Sequence, residues 1–484
     1  VAWVCAICAL VGLAGCVSDH ADERSELVLY QRAVVARSPQ ERLDNEGTDQ
    51  SNSADLLQPA ASGRPGISDL EITVDPNKSR LVTEITIEQA LSRALANSPE
   101  IAVVSFDPSI ARREITKAAA GFDPTFFSRF NYEDEDNPQN SIFQPGQAET
   151  RLFESGVRQR IATGAEWSAS YAMTRAWDDL IGRTLPTRYE PVLAFQLKQP
   201  LLRDAWEEVN LAGVDIARLE HQVALLGFRE KAEEVSTEVI RAYWQLLQAR
   251  RDLEIQRELV ANTLRTVDKV EGRRGIDATG VQVQQARSFA KSRQAFLLHF
   301  EKQVQDAQDA LIRLMTDFRA NLTTDIEIIP VSVPDTGETA SSRPLDVEQA
   351  LALAMEYNPT AQRAKVAVEV ADINVRVAKN QRMPRLDLVT SARTQGLDRE
   401  RAKASGQLLD GDYASYAVGL TFEFPLGDRA RHAEWMKRRL ERRKTISVLH
   451  NVADRVAVQV KERIRKVRTN LEEIALQNEA GAAA

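Results

Sequence analysis

The chain has 484 residues, of which 27% are charged and 6% aromatic, with a formal net charge of −8. Long stretches dominated by Ala, Glu, Gln, Arg, Leu and Val give the composition of long solvated helices or coiled coil rather than of ordinary compact domains. The acidic balance excludes a basic footprint for nucleic acid and favours solubility without naming a partner.

All three cysteines, Cys5, Cys8 and Cys16, fall within the first sixteen residues. Val1 to Ala14 form an uncharged, almost wholly apolar run. It is too short to span a bilayer comfortably and reads as the hydrophobic region of a secretory leader. Leu13-Ala14-Gly15-Cys16 ends the run and looks like a bacterial lipobox, which makes residues 1–15 a signal peptide and Cys16 the lipidated residue. A plain secretory signal with a coincidental cysteine is the alternative. On the lipobox reading the mature chain holds no second cysteine, so disulfides are excluded. No basic stretch precedes the apolar run, so the start at Val1 reads either as a valine-read start codon or as an incomplete N-terminus. Residues 16–84 are polar and mixed, cannot bury a core, and read as a tether.

A first repeat unit is assigned to residues 85–325. Ile87-Glu88-Gln89-Ala90-Leu91 opens a helix leading to Ala94 and Pro99. After Pro124 the apolar positions Phe126, Phe130 and Tyr132 have strand spacing. Before Pro200, Leu193, Phe195 and Leu197 alternate with Ala194, Gln196 and Lys198. Period two with one apolar face means a strand, and strands of about ten residues cross a membrane if they close into a barrel. Between these two strands, Glu133 to Pro138 reads as an exposed acidic loop. Leu152–Ile161 and Trp167–Met173, around Thr163-Gly164, read as an additional hairpin that either widens the barrel or lies outside it.

From Pro200 to about Glu271 the pattern is helical for nearly seventy residues. Leu225, Phe228, Ala232, Val235, Val239, Ala242, Leu246, Ala249 and Leu253 alternate spacings of three and four, which is a coiled-coil seam. A rod of that length reaches roughly 100 Å. Gly272-Arg273-Arg274-Gly275 breaks it. A return helix, Asp277 to Asp317, carries a matching seam of Val283, Ala286, Ala290, Leu297, Phe300, Val304, Ala307, Leu311 and Leu314, interrupted by Arg293. The pair is expected to fold back as an antiparallel hairpin.

Residues 326–343 read as a linker, and a second repeat runs over 344–484. Val347-Glu348-Gln349-Ala350-Leu351 follows 260 residues after the first such string and leads to Ala354 and Pro359, while Pro384 matches Pro124 at the same offset. Val418, Leu420, Phe422 and Phe424 alternate with Gly419, Thr421 and Glu423 before Pro425. Phe422-Glu423-Phe424-Pro425-Leu426 echoes Leu197-Lys198-Gln199-Pro200-Leu201. An internal duplication is therefore expected. Its second copy has an outgoing helix from about Asp428 and reaches Ala484 without a return helix, so this reading expects a protomer short of one rod and treats the sequence as truncated.

Taken together, these residues resemble the TolC-like outer membrane efflux protein family, of lipoprotein type. The resemblance runs from about Ile85 to the C-terminus. It rests on the Glu-Gln-Ala-Leu helices ending near Asn97-Ser98-Pro99 and Tyr357-Asn358-Pro359, on Phe122-Asp123-Pro124, on Gln199-Pro200-Leu201-Leu202 and on Phe424-Pro425-Leu426-Gly427. It implies a mainly α fold with a membrane β-barrel portion: a homotrimer in which each chain gives four strands to a twelve-stranded barrel, continued by helix hairpins as an α-barrel across the periplasm. Pro124 and Pro384 would start strands, and Pro200 and Pro425 would mark strand-to-helix junctions, where a fixed φ and a missing donor end a strand cleanly. The hairpin tip at Gly272, Arg273, Arg274 and Gly275 would meet a periplasmic adaptor and serve as gate, with an inner-membrane transporter supplying energy. The chain would sit in the outer membrane, lipid-anchored and extending into the periplasm. Gln196, Lys198, Thr421 and Glu423, on the polar sides of their strands, are the lumen-facing candidates.

No catalytic constellation stands beside this reading. The five histidines, His20, His221, His299, His432 and His450, lack metal-ligand spacing, and no phosphate-binding Gly-rich loop ends in Lys-Ser or Lys-Thr. The expected role is a passive duct with no cofactor. A lipid-anchored periplasmic coiled-coil scaffold or adaptor without a pore is the alternative.

Overall fold

The computed structural model describes residues 72–74, 81–138, 144–180, 182–273, 279–315, 326–334 and 346–483. All belong to the unit Asp69–Ala484. Cys16, residues 1–15 and most of the 16–84 segment lie outside the described residues, as do Arg274 and Gly275.

In chain order the elements are strands β1 (Ile72–Val74) and β2 (Leu81–Ile85), then helices α1 (Ile87–Asn97), α2 (Pro99–Val104) and α3 (Phe106–Ala119). Four long strands follow, β3 (Thr125–Asp136), β4 (Gln147–Arg160), β5 (Glu166–Asp178) and β6 (Thr187–Pro200). Next come the short α4 (Glu207–Asn210), the rods α5 (Ala212–Gly272) and α6 (Gly280–Met315), and strand β7 (Ile326–Pro330). Helices α7 (Val347–Tyr357) and α8 (Pro359–Gln381), strand β8 (Arg385–Gln395), helix α9 (Arg401–Asp410), strand β9 (Tyr413–Glu423) and helix α10 (Arg429–Ala483) complete it. The protein is mostly helical, with antiparallel sheet.

The rod seam forms where its spacing places it. Val235, Val239, Ala242, Leu246, Ala249 and Leu253 are buried on α5, and Val283, Ala290 and Leu311 are buried on α6. Small alanines at these positions let the helix axes approach closely. At Arg293 the side chain turns outward and Gln294 occupies the half-buried turn. The helix α5 spans 61 residues, about 90 Å at the rise of an α-helix.

Near Tyr243 on α5 a small sheet, ordered β1-β2-β7, packs on the rods. Strands β2 and β7 pair in parallel, with Thr83 opposite Ile328. This sheet corrects two expectations, because β1 and β2 lie in the segment read as a tether and β7 in the segment read as a linker. Its strands are five residues or shorter, and β2 finds its parallel partner β7 more than 200 residues away in sequence, so the sheet depends on that distant pairing and on the rods beneath. The Tyr243 hydroxyl donates to the Ile85 carbonyl (3.0 Å) and accepts the Ser332 amide (2.9 Å). On α6, Gln308 bonds both the Ile326 carbonyl and the Ile328 amide. The free edge of β7 is thereby closed by a side chain.

Helix starts recur locally in the two halves. Thr86 caps α1 through a capping box with Gln89, and Asp346 caps α7. Ser98 and Asn358 cap α2 and α8, each with proline at the first turn. Those caps satisfy orphan amides, and proline costs nothing where no amide partner exists. On α8, Thr360 and Arg363 reach Glu230 of α5 and Asp372 pairs with Arg442 of α10, so α8 joins α5 to α10.

Candidate functional site: a two-faced sheet and its junction to the rods

Strands β3-β4-β5-β6-β8-β9 form one six-stranded sheet. All five pairings are antiparallel. The sheet therefore holds six strands where the resemblance implied four. The hairpin β4–β5 is inserted between β3 and β6, and these two do not touch. The acidic run is corrected as well: Glu133 to Asp136 continue β3 opposite Thr150 to Gln147, rather than forming a loop.

Because side chains alternate along a strand, the registers sort every residue onto one of two faces. One face carries Phe126, Phe130 and Tyr132 of β3, Phe153 and Val157 of β4, and Trp167, Tyr171 and Met173 of β5. Leu193, Phe195 and Leu197 of β6, Leu386 and Leu388 of β8, and Tyr416, Val418, Leu420 and Phe422 of β9 continue it. Many of these are open to solvent in the single chain, with Phe126, Phe130, Val418, Leu420 and Tyr416 each at least 67% exposed. A contiguous exposed apolar band of that kind marks a surface made for lipid or for another chain. The charged groups Glu149, Arg151 and Arg175 of this face form an ionic cluster at the strand ends far from the rods. Arg151 also lies over the Tyr132 ring, 5.5 Å from its centroid.

The opposite face is mostly polar or small, with Phe127, Leu152, Val192 and Val389 as its larger apolar members. It holds Arg129 paired with Glu154 at 2.5 Å, the serines Ser168, Ser170 and Ser391, and all four residues singled out from sequence, Gln196, Lys198, Thr421 and Glu423. Lys198 lies 3.5 Å from Asp387, which accepts from Arg385, and Arg385 lies 3.5 Å from Glu423. Lys198 and Glu423 are thus joined through two residues of β8 that sequence reasoning did not pick out. Asp387 is almost fully buried, and such a carboxylate persists only with cationic partners. The sequence signal that could have found it is its polar position opposite Leu386 and Leu388.

Pro124 immediately precedes β3 and Pro384 immediately precedes β8. Pro200 is the last residue of β6, while Pro425 lies two positions past the end of β9, after Phe424. The first strand-to-helix junction is not a direct turn, and the rod begins at Ala212 instead of near Pro200. Leu201 and Arg203 still donate to Leu386 and Pro384 carbonyls of the neighbouring strand. Asp204 and Trp206 then adopt φ of 63° and 76°, a conformation costing on the order of 1–3 kcal/mol per non-glycine residue. Hydrogen bonds offset that cost. Asn380 accepts the Asp204 amide at 2.8 Å and donates to the Leu202 carbonyl, and the Asn210 amide group donates to the carbonyls of Asp204 and Trp206.

The turn of the inserted hairpin docks on this junction. Trp206 donates its amide to the Thr163 carbonyl, Gln199 donates to the same carbonyl, and Arg160 reaches Asn210 at 2.6 Å. Gly164 has φ of +86°, and a Cβ there would lie 2.3 Å from the Asp204 carbonyl oxygen. Both backbone and space require glycine. Gly164→Ala should destabilise the fold by at least about 1–2 kcal/mol from the left-handed backbone alone. The check is the thermal midpoint of the detergent-solubilised protein, and an unshifted midpoint would contradict the docking.

At the second junction Gly427 (φ 97°) and Asp428 (φ 21°) turn the chain into α10. The guanidinium groups of Arg382 and Arg439 lie over the Trp435 ring of α10, 4.3 and 4.8 Å from its centroid. Further along the rods, Lys231 stands 2.7 Å from Glu100 and holds its carboxyl below the ordinary range, chiefly by hydrogen bonding. At the tip, Gly272 ends α5 and Arg273 caps it, and Glu271 pairs with Arg287 of α6. Among the described residues no cluster of His, Cys, Asp and Glu could hold a metal, and no helix is long and apolar enough to cross a membrane.

No protein-family model and no curated protein matches the chain. Solved structures do. CusC, described for conformational changes accompanying folding and transmembrane channel formation, aligns at a TM-score of 0.57 and 14% identity over 82% of this chain and 79% of its own. The outer-membrane channel OprN aligns at 0.54 and 14% identity, covering 82% and 78%. VceC, an outer membrane protein of Vibrio cholerae, aligns at 0.51 and 17% identity, covering 82% and 83%. These neighbours are channel or outer-membrane proteins rather than enzymes. The two-faced sheet on paired helical rods is the fold this chain shares with these outer-membrane structures.

Proposed function

We propose that this chain forms the outer-membrane exit channel of a tripartite efflux pump or type I secretion system. The observation that carries the reading is the sheet itself, apolar on one continuous face and polar on the other, set at the end of rods about 90 Å long built from the 61 residues of α5. In a homotrimer the apolar band faces outer-membrane lipid, and Gln196, Lys198, Thr421 and Glu423 face the lumen. The rods cross the periplasm as an extension of the duct, and Cys16 anchors the chain to lipid.

Transport through such a duct needs no chemistry of its own. A periplasmic adaptor docking at Gly272, Arg273, Arg274 and Gly275 stabilises an open arrangement of the hairpin tips, and an inner-membrane transporter supplies the energy. The duplicated unit, residues 85–325 and 344–484, gives each chain two staves, the first carrying β3 to β6 and the second β8 and β9. Single-channel recording in a planar bilayer tests the reading. Discrete conductance steps from purified oligomer are expected, whereas a lipid-anchored scaffold gives none. Recovery only as a soluble periplasmic monomer also refutes the channel.

A further inference from the structure

We propose that the inserted hairpin β4–β5 is part of the transmembrane wall, so that each chain contributes six strands and the trimer closes an eighteen-stranded barrel. This inference rests on the channel reading and specifies the size of its pore.

Three independent observations support it. First, the hairpin repeats the two-faced pattern in register with its neighbours. Tyr171 lies opposite Leu193, and Phe153 opposite Phe130, on the apolar side, whereas Ser170 and Gly156 share the polar side. A hairpin outside the wall has no reason to carry an apolar face continuous with the lipid band. Second, its turn is built into the strand-to-helix junction through Gly164, Thr163 and Arg160. Third, β3 and β6 are separated by both hairpin strands, so a four-stranded stave would require breaking two complete ladders.

The occupant of the two free edges is a second copy of this chain. Strands β3 and β9 are long and exposed along nearly their whole length. Unpaired backbone is not tolerated in hydrocarbon, so both edges need partners. Across six antiparallel strands β3 and β9 run in opposite directions, and β9 of one copy can therefore extend β3 of the next in the same antiparallel sense. Repeating the step gives a ring.

The registers also fix the stagger. The hydrogen-bonding line from Thr125 passes through Arg158, Ser168, Gln196 and Ser391 to Ala417, six residues short of the rod-proximal end of β9 at Glu423. Levelling the proximal ends of adjacent copies pairs Thr125 with Glu423. A shift of six residues per six strands corresponds to a strand tilt of about 35°, within the range of closed membrane barrels. In that register Phe126 meets Phe422, Phe130 meets Val418 and Tyr132 meets Tyr416, so the apolar band passes across the seam without a break. Eighteen strands at this tilt give a backbone diameter of about 34 Å, against about 23 Å for twelve.

Cysteine pairs test the wall directly, because Cys5, Cys8 and Cys16 are the chain's only cysteines and all precede residue 17. In the assembled protein, Phe130→Cys with Val418→Cys should oxidise between copies and give a ladder ending at three chains. Single variants Tyr171→Cys and Leu193→Cys should both resist a membrane-impermeant maleimide, while Ser170→Cys reacts. The proposal is overturned by a ladder ending at two copies, by an intrachain Phe130→Cys to Leu193→Cys crosslink, or by free labelling at Tyr171→Cys while Leu193→Cys stays shielded. If Leu193→Cys is itself labelled and no conductance is seen, the channel reading fails instead.

Discussion

Replacing Tyr243 with alanine is expected to release the small sheet from the rods, at a cost of about 4–6 kcal/mol. Tyr243 is 0% exposed, and its ring packs edge-on to Trp244 with centroids 5.4 Å apart. Truncating a buried aromatic costs about 3–5 kcal/mol through lost contacts and the cavity left behind. The hydroxyl adds a second contribution. It supplies the acceptor for the Ser332 amide and a donor to the Ile85 carbonyl. That carbonyl keeps a second partner in the Val331 amide, so the unpaired amide dominates. Tyr243→Phe removes only the hydroxyl and should cost about 1–3 kcal/mol. Denaturant midpoints in detergent, followed with limited proteolysis near residues 81–85 and 326–334, separate the two variants. A midpoint for Tyr243→Phe equal to wild type would show that the two hydrogen bonds contribute nothing to the clamp.

Leu193→Arg is expected to abolish stable assembly, while Ala194→Arg, one residue along, is expected to spare it. Leu193 sits in the middle of β6 on the apolar face, opposite Tyr171 and Thr394. An arginine facing lipid at the bilayer midplane costs about 2–4 kcal/mol per strand position. In a homotrimer the cost falls once on every chain. Ala194 points to the polar face, where Gln196 and Lys198 already stand, so an added guanidinium there leaves the apolar band unchanged. The measurement is the yield of heat-sensitive oligomer in outer-membrane fractions. Equal yields for the two variants would mean that the apolar band does not face lipid.

The seam of α5 could be read residue by residue because a coiled-coil stripe is a local property: spacing along one segment decides which side is buried. The same holds for the polar and apolar sides of β6 and β9, and it placed Gln196, Lys198, Thr421 and Glu423 on one face before any partner was known. The strand-to-helix junction was less legible. Asp204 and Trp206 carry no glycine signal for their positive φ, and their conformation depends on Asn380, which is distant in sequence. Asp387 was missed for a similar reason, since its cationic partners Lys198 and Arg385 meet it only when β6 and β8 pair.

Alternation thus determined which side of each strand is apolar, and heptad spacing determined the rods. Only the tertiary structure decided which strands are neighbours. Period two is blind to partners, so alternation left open whether the hairpin stands between β3 and β6, where the structure places it. The strands β2 and β7, each five residues, disappeared into segments that looked like tether and linker, because their stability comes from pairing with each other and from the rods they cover. Strand adjacency is a non-local choice, made by register and by which faces can be buried together, and for this chain that choice makes a sheet of six strands.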